Sequence, residues 1–339
     1  YRIVLSWSRS GNAAMSMKSD AGHTQRHALS FGVDLGGTKT EVVVLANTGE
    51  VLFRERQPTP AHDYTAILEN IVDLVNLAQS RVGPAQAVGV GAPGTPIPTT
   101  GLLKNANTTC LIGKPLQADL SQRLQRPVRV ENDANCFTLS EAVDGAGRGA
   151  QSVFGVILGT GVGGGLYLNG GITQGLHHIA GEWGHNPLPR RAAAQPDKDS
   201  VRWGRSCYCG LSDCIETYLS GPGLARTYLE YGGYCPDPQQ APSVEQICAY
   251  AKENDQAAQK VLALYVSELA AALATVINLI DPEVIVLGGG VSNIGGLCGG
   301  VQQTLAQHVF NNELNTRILR AEHGDSSGVR GAAWLSQHA

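Results

Sequence analysis

A glycine-rich strand pair occurs twice in this chain, and nothing else in the sequence restricts the fold as much. Phe31–Leu35 is a short apolar run that leads into glycines. Glu41–Ala46 and Val51–Arg56 follow, joined by the turn Asn47-Thr48-Gly49. Alternation broken by such turns reads as a meander of strands. Ser152–Leu158 and Gly165–Leu168 repeat the arrangement, joined by Gly159-Thr160-Gly161-Val162-Gly163-Gly164-Gly165. Five glycines in seven residues are unfavourable in an ordered strand pair unless something approaches closely. A second phosphate loop explains that cost, and a flexible hairpin is the plainer explanation. The likeness of the two sets implies an internal duplication. Glycine makes up 42 of 339 residues, well above the usual share of about 7%.

Helical patterns alternate with these strands. Residues 64–79 place Ile67, Ile71, Leu74 and Val75 on one face, as an amphipathic helix does. Ala87–Gly91 and Val128–Val130 read as strands. Leu116–Leu124, Ala134–Val143, residues 243–252 and residues 255–280 read as helices. Val284–Leu287 is a further strand, followed by Gly288-Gly289-Gly290 and a helix from about Asn293. Ser326–Ser336 forms a short terminal helix. Alternating strands and helices define an α/β protein, and the length suggests roughly two domains.

Composition removes several classes. No stretch reaches about 18 consecutive apolar residues, the length needed to cross a bilayer. The net charge of -4 gives no electrostatic support for nucleic-acid binding. Ile3-Val4-Leu5 is too short for a secretory core, so a cytoplasmic location is the expectation. Residues 1–30 hold both methionines, Met15 and Met17, and are expected to form a poorly ordered leader.

Several motifs carry chemistry. Asp34-Leu35-Gly36-Gly37-Thr38-Lys39-Thr40 ends the first strand. Its backbone N–H groups can approach an anion, and Asp34 can position a metal-bound water. A plain hairpin turn is the competing reading. The Gly288–Gly290 turn after a strand is a common nucleotide site, although many α/β folds have such turns. Asp133, in Glu131-Asn132-Asp133-Ala134-Asn135, either caps the following helix or accepts a hydroxyl proton. Glu182 and His185 are three residues apart and share one side of a turn. Cys207, Cys209 and Cys214 fall within eight residues. Three such sulfurs with His185 as fourth ligand suit a closed tetrahedral zinc site.

In order along the chain, these strings resemble the ROK (repressor, open reading frame, kinase) family of sugar kinases. The likeness is carried by Asp34–Glu41, Lys104-Asn105-Ala106-Asn107, Asn132–Asn135, Gly181–Pro189, Cys207–Glu216, Asp281–Gly290 and His323–Trp334. Within the family it points to bacterial fructokinases, also described as mannofructokinases. The resemblance implies the two-lobed actin/Hsp70/hexokinase-like (ribonuclease H-like) fold with a central cleft. It implies a small lobe of residues 31–131 plus 325–339 and a large lobe of residues 132–324 carrying the zinc knuckle. ATP and Mg2+ would lie between the hairpins at Asp34, Gly36, Gly37, Thr38, Lys39 and at Gly159, Thr160, Gly161, with adenosine near Gly288, Gly289 and Gly290. Gly94, Asn107, Asn132, Asp133, Glu182, His185 and Glu216 would hold the sugar. Asp133 would be the general base, and Zn2+ on His185, Cys207, Cys209 and Cys214 would be structural.

The resemblance implies phosphorylation of a hexose, with D-fructose expected first. Glucose, mannose and N-acetylhexosamines are the alternatives. Regulators of the same family add an N-terminal helix-turn-helix, and residues 1–30 lack its apolar pattern. A kinase without a nucleic-acid or membrane partner is therefore expected. Similar kinases are commonly homodimers. Cys110 stands where related fructokinases have a tryptophan, and Asp213 replaces the glycine usual before the last knuckle cysteine.

Overall fold

The computed structural model describes residues 29–189, 203–237, 239–311 and 313–338. Most of the expected leader lies outside these residues. Its final residue, Ser30, is buried and opens the first strand. In chain order the elements are β1 (Ser30–Leu35), β2 (Lys39–Leu45), β3 (Val51–Pro58), α1 (Tyr64–Val82), β4 (Val88–Ala92), β5 (Thr95–Pro96) and β6 (Leu103–Lys104). Next come α2 (Leu116–Leu124), β7 (Val128–Asn132), α3 (Asp133–Val143), β8 (Ser152–Leu158), β9 (Val162–Leu168) and β10 (Gly171–Ile172). After them run α4 (Glu216–Leu219), α5 (Gly221–Glu230), α6 (Val244–Lys252) and α7 (Gln256–Ile280). The chain closes with β11 (Val284–Gly288), α8 (Leu297–Leu305), β12 (Arg317–Arg320) and α9 (Ser327–Leu335).

Two five-stranded sheets share one topology. The first runs β3-β2-β1-β4-β7 and the second β10-β9-β8-β11-β12. In each, the first three strands form an antiparallel meander and the last two join in parallel. The duplication read from the glycine hairpins is thus a duplication of the whole sheet order. Each sheet has its own core. Phe31, Val33, Ile67, Leu74, Val90 and Leu120 belong to the first, and Phe154, Leu219, Leu269, Leu273, Ile285 and Leu287 to the second. By length and composition α7 is apolar enough to cross a membrane. In this fold it buries Val261, Tyr265, Leu269, Leu273 and Ile277 inside the second core.

Several glycines are explained by helix packing. A Cβ on Gly89 would lie 1.8 Å from the carbonyl oxygen of Ala332, and one on Gly331 would lie 1.7 Å from that of Cys136. α9 therefore rests directly on the first sheet and against α3. The same reasoning shortens the second glycine loop. β9 begins at Val162, not at Gly165, and the loop is only Gly159–Gly161. A Cβ on Gly164 would meet the Trp183 ring at 2.8 Å, and one on Gly165 would meet Thr138 Oγ1 at 2.4 Å. These glycines lie in the strand because Trp183 and α3 press onto it. β2 likewise starts at Lys39, two residues early.

Other boundaries differ from the sequence pattern. After Gly288–Gly290 comes a 3-10 turn, Gly290–Asn293, and the α-helix begins only at Leu297. α5 carries an apolar face of Leu224, Ala225 and Tyr228, but its first residues, Gly221-Pro222-Gly223, disguise a helix in the sequence. Proline in the first helical turn is nevertheless favourable, and the Ser220 hydroxyl accepts the Gly223 N–H at 3.1 Å, as a cap does.

α3 and α9 cross between the sheets, and Glu141 joins them. This buried carboxylate accepts hydrogen bonds from the N–H groups of Ala146, Glu322 and His323 and from Ser327 Oγ. Asp144 pairs with Arg330 beside it, and Arg330 also donates to the Gly49 carbonyl. Glu141→Ala would strand several buried donors. We expect it to cost about 3 kcal/mol or more, with Glu141→Gln costing less. Urea unfolding measures this directly, and an unchanged midpoint in Glu141→Ala would refute the assignment.

Candidate active site

Asn132 and Asp133 sit where β7 ends and α3 begins. Asn132, not Asp133, is the helix cap, and its side chain accepts the Asn135 N–H at 2.7 Å. Asp133 is the first helical residue and accepts the Ala134 N–H at 2.9 Å. It opens onto a cleft of about 320 Å3 lined by Asn107, Asn132, Asp133, Gly159, Thr160, Gly161, Glu182, His185, Tyr208 and Glu216. Residues from both halves of the chain meet there. Surrounding protein desolvates Asp133 and raises its pKa, against the pull of its backbone hydrogen bonds.

Asp34, the penultimate residue of β1, lies nearby. Its pKa is raised to about 6, first by burial and then by the charges of Asp133 and Glu41. Two carboxylates that repel each other at a lobe boundary form a suitable donor set for a divalent cation. Gly37, Thr38 and Lys39 form the exposed tip of the β1–β2 hairpin, held by Gly36 N–H to the Lys39 carbonyl at 3.0 Å. That tip does not line the cleft of Asp133. Gly94 does not line it either. Gly94 has φ 83°, and a Cβ there would meet the Lys104 carbonyl at 2.4 Å. Its role is to let the Lys104–Asn107 segment pass.

Two hollows flank the Gly288–Gly290 turn. One, about 460 Å3, has apolar walls from Val244, Cys248, Leu262 and Ile294 beside Gly290. The other, about 440 Å3, is polar and lined by Gly288–Gly290, Asn293, Arg320 and Asp325 among others. Packing accounts for two of the three glycines. A Cβ on Gly288 would strike the Phe137 ring at 2.4 Å, and one on Gly289 would strike the Leu158 carbonyl at 2.4 Å. Only Gly290 borders both hollows with nothing within 4 Å of its added Cβ. Gly159 is fixed beside them by the Gly221 N–H, which donates to its carbonyl at 2.8 Å. A further hollow, about 830 Å3, lies around Asp281, Glu313 and Arg317 and shares no residue with the cleft.

The cysteine knuckle closes as its spacing suggests. Residues 186–188 pair with 213–215 through Leu188 N–H to Asp213 O (2.9 Å) and Ile215 N–H to Asn186 O (2.8 Å). This pairing brings His185 to the sulfurs. The ligand atoms of His185, Cys207, Cys209 and Cys214 all lie within 4.8 Å of one another. Cys209 and Cys214 Sγ are 3.6 Å apart, as are Cys207 Sγ and His185 Nδ1. Tetrahedral Zn–S bonds of about 2.3 Å place sulfurs about 3.8 Å apart, so the donor set fits zinc. Asp213 has φ 59°, which explains why glycine is usual there. Its carboxylate offsets the strain by accepting the N–H groups of Gly204 and Arg205 at 2.7 and 3.0 Å. Arg205 is fully buried, binds the Thr217 and Gly223 carbonyls and pairs with Glu230.

Two links were not foreseen from the sequence. Tyr208 lines the cleft, and its hydroxyl lies 3.1 Å from His185 Nε2. Glu216 Oε2 accepts the Val162 N–H at 2.9 Å, so the knuckle is tied to the Gly159–Gly161 hairpin. The Cys-Tyr-Cys string keeps Tyr208 close to the knuckle, but its spacing alone does not say which way the ring turns. Cys110 is absent from the cleft lining. Its thiol donates to the Ala61 carbonyl at 3.3 Å.

Two duplicated α/β halves with a polar cleft between them give the two-lobed actin/hexokinase-like fold, the class that includes the ROK sugar kinases. The chain belongs to the ROK family, whose profile matches residues 30–339. It is 42% identical over 305 residues to the N-acetyl-D-glucosamine kinases of Salmonella paratyphi B and Escherichia coli O127:H6. The match covers 90% of this chain and 98% of theirs. A ROK hexokinase from Thermus thermophilus superposes with a TM-score of 0.78 at 27% identity, covering 91% of this chain and 98% of its own. A ROK glucokinase from Streptomyces griseus, solved with glucose and AMPPNP, gives 0.71 at 29% identity, covering 92% and 100%. None of these relatives is a fructokinase, the group to which the motifs pointed.

Proposed function

We propose that the protein transfers the γ-phosphoryl group of ATP to the primary hydroxyl of N-acetyl-D-glucosamine. The single observation that carries the phosphoryl-transfer part is the cleft in which Asp133 faces the Gly159–Gly161 hairpin among Asn107, Glu182 and His185. The 42% identity to N-acetyl-D-glucosamine kinases favours the acetamido sugar over fructose, which becomes the alternative.

Asn107, Asn132, Glu182 and His185 orient the sugar hydroxyls. Asp133 accepts the proton of the attacking hydroxyl, which needs its carboxylate ionised. Phosphoryl transfer depends mostly on positioning and charge stabilisation. Backbone N–H groups of the two hairpins supply part of that stabilisation. The apolar hollow beside Gly290 suits the adenine. Mg2+, when bound near Asp34, supplies neutralisation of phosphate charge. Zn2+ on the knuckle supplies a cross-link, leaving His185 Nε2 as the donor turned towards Tyr208 and the cleft.

A coupled ADP-release assay with ATP and Mg2+ tests the substrate. N-acetyl-D-glucosamine, D-fructose, D-glucose and D-mannose are run side by side. The expected result is the highest kcat/KM on N-acetyl-D-glucosamine. A clear preference for fructose would restore the alternative, and no turnover on any sugar would overturn the kinase reading.

A further inference from the structure

Glu131 plays no part in the chemistry above, yet it is only 2% exposed and directly precedes Asn132 and Asp133. Both its oxygens are engaged. Oε1 accepts the Asn132 N–H at 3.0 Å and Asn135 Nδ2 at 2.9 Å. Oε2 accepts Gln174 Nε2. Gln174 lies in the segment that leads from β10 to Glu182. That segment folds on itself, with Ala180 N–H to the Gln174 carbonyl at 3.1 Å and Glu182 N–H to the Ile179 carbonyl at 3.2 Å. It includes three residues of positive φ, Gly175 (φ 74°), His178 (φ 53°) and Gly181 (φ 97°), a conformation that persists in a non-glycine residue such as His178 only where surroundings hold it. The segment is held from the other lobe as well. Lys104 Nζ donates to the His177 carbonyl at 3.3 Å, and Lys104 leads through Asn105 and Ala106 to Asn107.

We propose that Glu131 and Gln174 are positioning residues for the sugar, with Lys104 as a latch across the cleft. Their hydrogen bond joins the strand end bearing Asn132 and Asp133 to the segment bearing Glu182. The Lys104 contact joins that segment to the loop after β6 that bears Asn107. Residues that hold the sugar thus move as one unit. The proposal rests on the sugar-kinase reading.

Steady-state kinetics on the full chain, with sugar and ATP varied separately, test it. In Gln174→Ala the sugar KM rises about tenfold while kcat and the ATP KM stay within about twofold, the pattern of lost ground-state binding. Gln174→Glu sets a second carboxylate against Glu131 and raises the sugar KM further. Adding Glu131→Gln to Gln174→Glu restores a donor and an acceptor and recovers most of the loss. Lys104→Ala, a surface change, gives a smaller rise. Sugar KM values unchanged in both Gln174 variants, or no recovery in the double variant, would overturn the proposal. Hydrogen exchange separates this from failure of the kinase reading, because it needs no turnover. In Gln174→Ala, exchange quickens together in residues 173–181 and 132–135, and a rise confined to one segment overturns the coupling.

Discussion

Asp133→Asn is expected to lower kcat by about 10²–10⁴-fold, the usual worth of a general base, while the fold is retained. Asparagine preserves the acceptor for the Ala134 N–H and removes only the proton-accepting charge. The pH profile carries the same signature. Burial raises the Asp133 pKa, so kcat/KM in the native protein falls on the acid side above the ordinary carboxylate value of about 4. The sign for stability is the reverse of that for activity. A carboxyl whose pKa is raised on folding contributes stability below its unfolded pKa and loses it as pH rises through the folded value. Asp34, raised to about 6, behaves likewise. Asp133→Asn should therefore raise the unfolding temperature at pH 8 and leave it nearly unchanged at pH 4. Near-normal turnover in Asp133→Asn would remove Asp133 as the base. A lower Tm at pH 8 would refute the account of its electrostatics.

Losing the knuckle metal should have the second-largest effect. Protein purified without chelator is expected to hold about one zinc per chain, and Cys214→Ala to hold almost none. Cys214 is buried and adjoins the strand pairing that places His185. Without the ion, both His185 and Glu216 lose their anchorage. Glu216 also holds the Val162 N–H at the end of the Gly159–Gly161 hairpin, so the disturbance reaches both substrates. Loss of kcat/KM of about 10–100-fold is expected, the range for removing support behind a site. Metal analysis beside the kinetics checks it. Absence of zinc in the native protein, or full activity in the zinc-free variant, would sink the assignment.

Much of the site was legible because its chemistry is local. The four knuckle ligands fall in two short strings, and a strand pairing of only a few residues brings them together. Asn132 and Asp133 stand at a strand-to-helix junction that hydrophobic spacing marks. The choice of sugar was not legible in this way, because the motifs serve every hexose and the proposed acetamido preference rests on likeness over the whole chain. Glu131 was hidden for a different reason. A buried carboxylate looks like any other acidic residue until its partner, Gln174, is placed beside it.

The sequence by itself determined the duplicated α/β meander, the helix patterns, the cysteine knuckle and the position of Asp133. Periodicity, turn residues and ligand spacing act over a few residues, so they survive in one dimension. Tertiary structure decided what the glycines are for. Gly89, Gly165, Gly288, Gly289 and Gly331 yield to helices, rings and carbonyls that arrive from distant parts of the chain. It also decided that Glu141 joins α3 to α9, and that Lys104 meets the His177 carbonyl across the cleft. Such contacts depend on how two sheets are brought together across α3 and α9, which no local pattern encodes.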